Sequence, residues 1–140
     1  VLEIGHKTNW GFGVSLLNLD GFCVAAIYCE DIDKMCLFYQ DVLGFKKLRD
    51  MNPGVLLRRD EVNMTLYFEK SRNAKNKQEH GLTEVSLCFS NKEGVKKAKE
   101  SLQGIGVEIC HQYGDFEKGE FVGIHFRDPE GNILEVAGAP

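Results

Sequence analysis

The side chains able to do acid–base, nucleophilic or metal chemistry are few and scattered along this 140-residue chain. Five cysteines, Cys23, Cys29, Cys36, Cys88 and Cys110, include no C-x-x-C pair. Neither a zinc ribbon nor a disulfide framework is indicated. They are expected to be reduced, mostly buried small hydrophobes of a cytoplasmic protein. Cys88 is a nucleophile in principle, but no positioned base accompanies it and burial is the expectation. The histidines are His6, His80, His111 and His125. His80 precedes Glu84 by four residues, which along a strand is over ~10 Å and makes it a poor co-ligand. His125 can face either a cleft or the helices, and a lone strand histidine is more often packed or exposed than a ligand.

Composition sets the frame for these groups. The chain is 43% hydrophobic and 27% charged, ordinary for one folded domain and unlike collagenous, low-complexity or disordered sequences. The net charge of −4 offers no basic field for nucleic acid or anionic lipid. No run of 18 apolar residues suits a membrane span. Residues 1–20 lack the cationic and apolar regions of a signal peptide and read as an N-terminal extension or a remnant outside the fold.

Beyond residue 20, strand-like and helix-like stretches alternate. Gly21–Cys29 reads as a strand, and Asp31 opens a helical pattern that ends at Gly44. Phe45–Leu48, Gly54–Arg59 and Val62–Phe68 read as three further strands, with a hairpin signal at Asp60-Glu61. Residues 71–81 are polar and lysine-rich, a solvated linker. The pattern then restarts: strand Glu84–Phe89, an N-cap candidate at Asn91, and the helical stripe Val95, Ala98, Leu102 ending near Gly104. Strands Gly106–Cys110, Phe121–Phe126 and Asn132–Ala137 follow. A shift of sixty positions lays Val24 on Glu84, Asp31 on Asn91 and Gly44 on Gly104. A fixed-offset repeat means stacked copies of one unit. The expected fold is therefore α+β: residues 21–140 form a single domain of two tandem βαβββ modules, about 21–70 and 82–138, making an open, cleft-bearing mixed sheet.

Two motifs carry a family resemblance. Asp31-Ile32-Asp33-Lys34-Met35-Cys36-Leu37-Phe38-Tyr39 with Asp41-Val42-Leu43-Gly44-Phe45 resembles the first-module motif of the vicinal oxygen chelate superfamily. Its members include glyoxalase I, extradiol dioxygenases and the fosfomycin- and bleomycin-resistance proteins. Phe126-Arg127-Asp128-Pro129-Glu130-Gly131-Asn132-Ile133-Leu134-Glu135 resembles the closing hairpin of that superfamily. Physically it is a turn, with Pro129 fixing φ, Gly131 free to take positive φ and Asp128 placed to cap. Phe38 and Tyr39 are expected in the core, as the resemblance also implies.

The metal-dependent members of the superfamily place ligands at four strand positions, where a divalent ion acts as a Lewis acid on vicinal oxygens. Carried over one at a time, the first-strand positions are Val24 and Glu84, and the last-strand positions are Thr65 or Leu66 and Glu135. The resemblance thus implies Glu84 and Glu135 as the catalytic pair, either holding one divalent ion (Mg, Mn, Ni, Fe or Zn) or, without metal, sharing a proton for acid–base work. The alternative is a polar Glu84 at a cleft mouth and a Glu135 hydrogen-bonded locally, with no chemistry. Neither first-strand position is histidine, so extradiol dioxygenase and full glyoxalase I chemistry lose weight.

Strand alternation extends the site: if position 84 faces the cleft, so do Ser86 and Cys88, and by the repeat Tyr28, with Val85, Leu87 and Phe89 facing the helix. Tyr28, Ser86, Cys88 and His125 are the ligand-binding candidates. Two functional readings follow: a metal- or carboxylate-assisted lyase or isomerase acting on a small oxygen-rich molecule, or a metal-free binding protein that sequesters a small ligand. The resemblance also implies a homodimer.

Overall fold

The computed structural model describes residues 16–70 and 85–140. The linker, His6, His80 and Glu84 lie outside the described residues, so the expectations placed on them have no structural counterpart here.

The repeat is realised as two modules of the same topology. In the first, β1 (Ala25–Cys29), α1 (Ile32–Asp41), β2 (Lys46–Asp50), β3 (Gly54–Arg59) and β4 (Met64–Lys70) form a sheet of order β1-β4-β3-β2. In the second, β5 (Val85–Phe89), α2 (Val95–Gly104), β6 (Ile109–Tyr113), β7 (Val122–Arg127) and β8 (Ile133–Gly138) form β5-β8-β7-β6. Each sheet is mixed, because the strand before the helix runs parallel to the last one and the others are antiparallel. This is the expected pair of βαβββ modules, with the strands divided between two four-stranded sheets. No helix among the described residues is long and apolar enough to cross a membrane.

Local chemistry explains the helix starts. Asp31 caps α1 by accepting the Lys34 N–H at 3.1 Å, as its position before an apolar periodicity predicts. Asn91 does not cap α2. Gly94 occupies that position, with φ of 92°, while Asn91 Nδ2 donates to the Gly94 carbonyl at 2.8 Å. Three residues therefore separate the expected start from the real one, and the helices sit 63 positions apart while β1 and β5 sit 60 apart.

Each helix buries one face on its sheet. Met35 and Tyr39 of α1 and Val95 and Leu102 of α2 join Leu57, Leu66, Phe68, Ile124, Phe126 and Leu134 in one core. Tyr39 packs edge-on to Phe68 at 4.9 Å and to Phe45 at 6.2 Å, and Phe45 meets Phe89 of the second module at 6.5 Å. Such pairs add about 0.5–1.5 kcal/mol each beyond their buried area. Phe38 is half-buried beside them.

The turn between β7 and β8 joins the modules. Asp128 Oδ1 accepts the Glu130 and Asn132 backbone N–H groups, each at 3.0 Å, and Oδ2 accepts Asn132 Nδ2 at 2.8 Å. Tyr39 Oη, from α1, donates to the same Oδ2 at 2.9 Å. Glu130 reaches back to accept the Glu30 and Asp31 N–H groups at 2.8–3.0 Å, placing a carboxylate at the α1 N-terminus, where the helix dipole favours it.

Tyr39→Phe leaves the buried Asp128 carboxylate short of one donor and is expected to cost about 1–3 kcal/mol. Glu130→Ala removes bonds at a more exposed site and is expected to cost about 1 kcal/mol. Urea denaturation at neutral pH measures both, and a smaller loss for Tyr39→Phe than for Glu130→Ala would contradict this ranking.

Candidate functional site

Strand register places four side chains in a row across the second sheet. Cys88 on β5 pairs with Glu135 on β8, Glu135 with His125 on β7, and His125 with His111 on β6. Residues directly opposite in neighbouring strands point to the same face, so the row is a consequence of pairing alone. Val136, Phe126 and Phe89, one residue further on, face the helix instead.

The centre of the row is a polar contact in a largely dry setting. His125 Nε2 lies 2.9 Å from Glu135 Oε1, with the two side chains 5% and 14% exposed. His111 stands beside His125 with ring centroids 5.0 Å apart. Tyr113, two residues further along β6, sets its ring edge-on to His125 at 6.2 Å and stacks on Phe121 at 6.4 Å. Its ring covers β7 where residue 123 is glycine, and a Cβ there would run into the phenol.

His125 bonds Glu135 directly, and the Cys88 thiol and Tyr113 phenol stand close enough to favour its anion. Burial alone would raise its pKa, but these three groups outweigh that and hold the carboxyl below its ordinary value. Glu135 is therefore an anion at neutral pH, and because a carboxylate only accepts, His125 Nε2 carries the proton of their bond. The neighbours respond in the opposite sense. Partial desolvation of the thiol, on an otherwise exposed residue, and then the neighbouring Glu135 carboxylate push Cys88 up to about 12. The same two causes push the Tyr113 phenol up to about 12. Cys88 is thus a poor nucleophile at neutral pH, because the reactive form is the thiolate.

Of the residues expected at the site, the structure brings Cys88, His125 and Glu135 together. Ser86 is exposed on the same strand as Cys88, at a shift in the β5–β8 register. Tyr28 is exposed in the first module, where it pairs with Glu69, which in turn pairs with Gly54. The burial expected for the cysteines fails: Cys29 is buried and Cys36 half-buried, but Cys23, Cys88 and Cys110 are exposed. Cys88 lies on the face its alternation predicts, and that face carries no helix to cover it.

Sequence reasoning missed His111, Tyr113 and Glu69. The strand expected at Gly106–Cys110 lies at Ile109–Tyr113, so His111 looked like a strand end. The opposition of Tyr113 to Gly123, an aromatic over a residue without a side chain, was the available signal. Register also makes Glu69 the counterpart of Glu135, since Tyr28 pairs with Glu69 as Cys88 pairs with Glu135. The position expected at Thr65 or Leu66 is thereby displaced, and Leu66 is in the core.

The described donors do not suit a divalent ion. Glu135 already bonds His125, and the thiol and phenol beside it hold their protons and are poor ligands in that state. Among the described residues no group of three or more His, Cys, Asp or Glu side chains is arranged to hold a metal.

Comparison with known proteins agrees with this architecture. No curated protein matches the chain. Among solved structures, lactoylglutathione lyase from Agrobacterium tumefaciens is 23% identical with a TM-score of 0.63, covering 86% of this chain and 94% of that one. The fosfomycin resistance protein FosX from Listeria monocytogenes is 14% identical with a TM-score of 0.68, covering 88% and 96%. A virulence protein from Salmonella typhimurium is 19% identical with a TM-score of 0.65, covering 89% and 100%. At these identities the likeness is one of fold. The family model for the Glyoxalase/Bleomycin resistance protein/Dioxygenase superfamily matches residues 21–136, and the chain belongs to that superfamily.

Proposed function

We propose that this chain is a metal-free small-molecule binding protein whose ligand rests on the open face of the second module, against Glu135, His125, His111 and Tyr113. One observation carries the reading: the Glu135 carboxylate is engaged by His125 Nε2 at 2.9 Å, with the Cys88 thiol and Tyr113 phenol beside it in place of open metal ligands. A carboxylate offers about four acceptor sites, so with His125 on one of them, room remains for a donor on the ligand. The Tyr113, Phe121 and His111 rings supply flat apolar surface beside it, which suits a planar aromatic bearing a hydroxyl or amine. Ser86 and Cys88 flank this surface on β5. As part of this reading the chain acts in the cytoplasm and pairs with a second copy, which would cover the open face.

The same contact supports a second reading, a carboxylate-assisted lyase or isomerase. Glu135 fixes the tautomer and orientation of His125, an arrangement that serves proton transfer. Glu84, if it reaches this face, would be the second carboxylate of either reading.

Purified protein loaded with Mn²⁺, Ni²⁺, Fe²⁺ or Zn²⁺ and desalted is expected to retain well under one equivalent by elemental analysis, and Glu135→Gln is expected to change that little. Stoichiometric metal lost on Glu135→Gln would contradict the metal-free reading.

The depressed Glu135 pKa also sets a pH dependence. A carboxyl whose folded pKa lies below its unfolded one stabilises the fold above the unfolded value, and that contribution is lost as pH falls through the folded value. The stability advantage of the native chain over Glu135→Gln is expected to be about 1–3 kcal/mol at pH 7 and to shrink below the ordinary carboxylate range, as read by denaturant titration.

Loss of the anion should also release the thiol beside it. Iodoacetamide modification of Cys88 at pH 8, followed by peptide mass mapping, is expected to be slow in the native chain and several-fold faster in Glu135→Gln. An unchanged rate would show that Glu135 does not control the thiol.

A further inference from the structure

A second recess lies on the opposite side of the second sheet from Glu135, between the modules. It is a cavity of about 380 Å³ bounded by the end of α1 and the β3–β4 turn in one module and by α2 in the other. That volume falls within the range of small-ligand pockets, roughly 300–1,000 Å³. None of the residues placed at the candidate site lines it, and its wall includes Phe89, Phe126 and Val136, the helix-side neighbours of Cys88, His125 and Glu135.

The lining combines an apolar floor with a cationic edge. Phe45 and Phe89 meet edge-on at its base. Arg59, Lys92 and Lys97 line it with two acids, Glu61 and Glu93, leaving one positive charge in excess. Arg59 is held in place and only loosely paired with an acid. Its Nη1 donates to the Leu43 carbonyl at the end of α1, at 2.6 Å, and Gly44 leaves room for the guanidinium to lie there. Its Nε is buried with no hydrogen-bond partner. Glu61 Oε2 pairs with this Nε at 3.7 Å, an ion pair longer than a hydrogen bond. A guanidinium fixed at one nitrogen and paired only loosely with an acid on the recess wall can take up a ligand carboxylate there.

We propose that this inter-module recess binds a small monocarboxylate with an apolar body, its acid group on Arg59 and its body on Phe45 and Phe89. The floor accepts an aliphatic or an aromatic body, because it offers both ring faces and aliphatic surface from Val42, Leu102 and Val136. Since the walls belong to both modules, such a ligand also braces one module against the other.

Isothermal titration calorimetry of the full chain with octanoate, with 1-naphthoate and with 1-naphthalenemethanol tests this. At least one carboxylate is expected to bind, and the stronger of the two identifies the body as aliphatic or aromatic. The neutral alcohol is expected to bind at least about tenfold more weakly than naphthoate, and Arg59→Gln to weaken carboxylate binding by at least about tenfold. Ser101→Trp, an exposed α2 position on the rim, is expected to abolish binding without touching Arg59, which keeps the test decisive if Arg59→Gln disturbs α1. Binding of neither carboxylate, equal binding of the alcohol, or binding unaffected by Ser101→Trp would overturn the proposal.

Discussion

A buried carboxylate ties the two halves of this protein together. Asp128 is 4% exposed, and burial pushes its pKa up while hydrogen bonds from Asn132, Tyr39 and Glu130 pull it down. An acid in such surroundings is tolerable only when its oxygens are satisfied, and the donors come from both its own turn and the α1 helix of the other module. The turn therefore cannot form its full set of bonds unless α1 is docked. Tyr39 is constrained in return, since its hydroxyl would lack a partner within the aromatic cluster if the turn moved away. The same turn sets the register of β8 against β7, and with it the opposition of Glu135 and His125.

From that register the chemistry follows. A carboxylate bonded to an imidazole N–H beside a thiol and a phenol stays ionised, and it makes the thiol and the phenol harder to deprotonate. The site is consequently an acceptor surface edged with aromatic rings, with a thiol kept in its unreactive form. Superfamily members that use a divalent ion place ligands at comparable strand positions, and in this chain Glu135, at such a position, is engaged by His125 instead. The opposite side of the same sheet faces a recess with one more cation than acid in its lining, where Arg59 is held by the Leu43 carbonyl and loosely paired with Glu61. One four-stranded sheet thus separates two sites of complementary charge.

Much of the fold was legible in the chain. The apolar periodicities, Asp31 before α1 and the D-P-E-G-N turn specify local structure by short-range physics, and Gly54–Arg59 matches β3 residue for residue. The sixty-residue offset was enough to expect two copies of one unit. What failed were features decided by pairing over longer distances. Asn91 has the chemistry of an N-cap, but the strand–helix connection is longer in the second module, so Gly94 caps instead. Burial of Cys88 was inferred from its type, yet its exposure depends on which sheet face carries the helix. His111, Tyr113 and Glu69 were missed because their roles come from cross-strand neighbours, and for His111 and Tyr113 an irregularity in β6 also shifts those neighbours by a residue. The recess between the modules was beyond reach for the same reason, since no single segment contains its walls.

The most direct test is the titration of the Glu135 side-chain carboxyl, followed by carbon-13 NMR with Glu135→Gln for assignment. The account expects this resonance to titrate below the ordinary glutamate range and to remain sharp when one equivalent of Mn²⁺ is added. A midpoint at or above the ordinary glutamate value, or selective broadening by stoichiometric Mn²⁺, would contradict it.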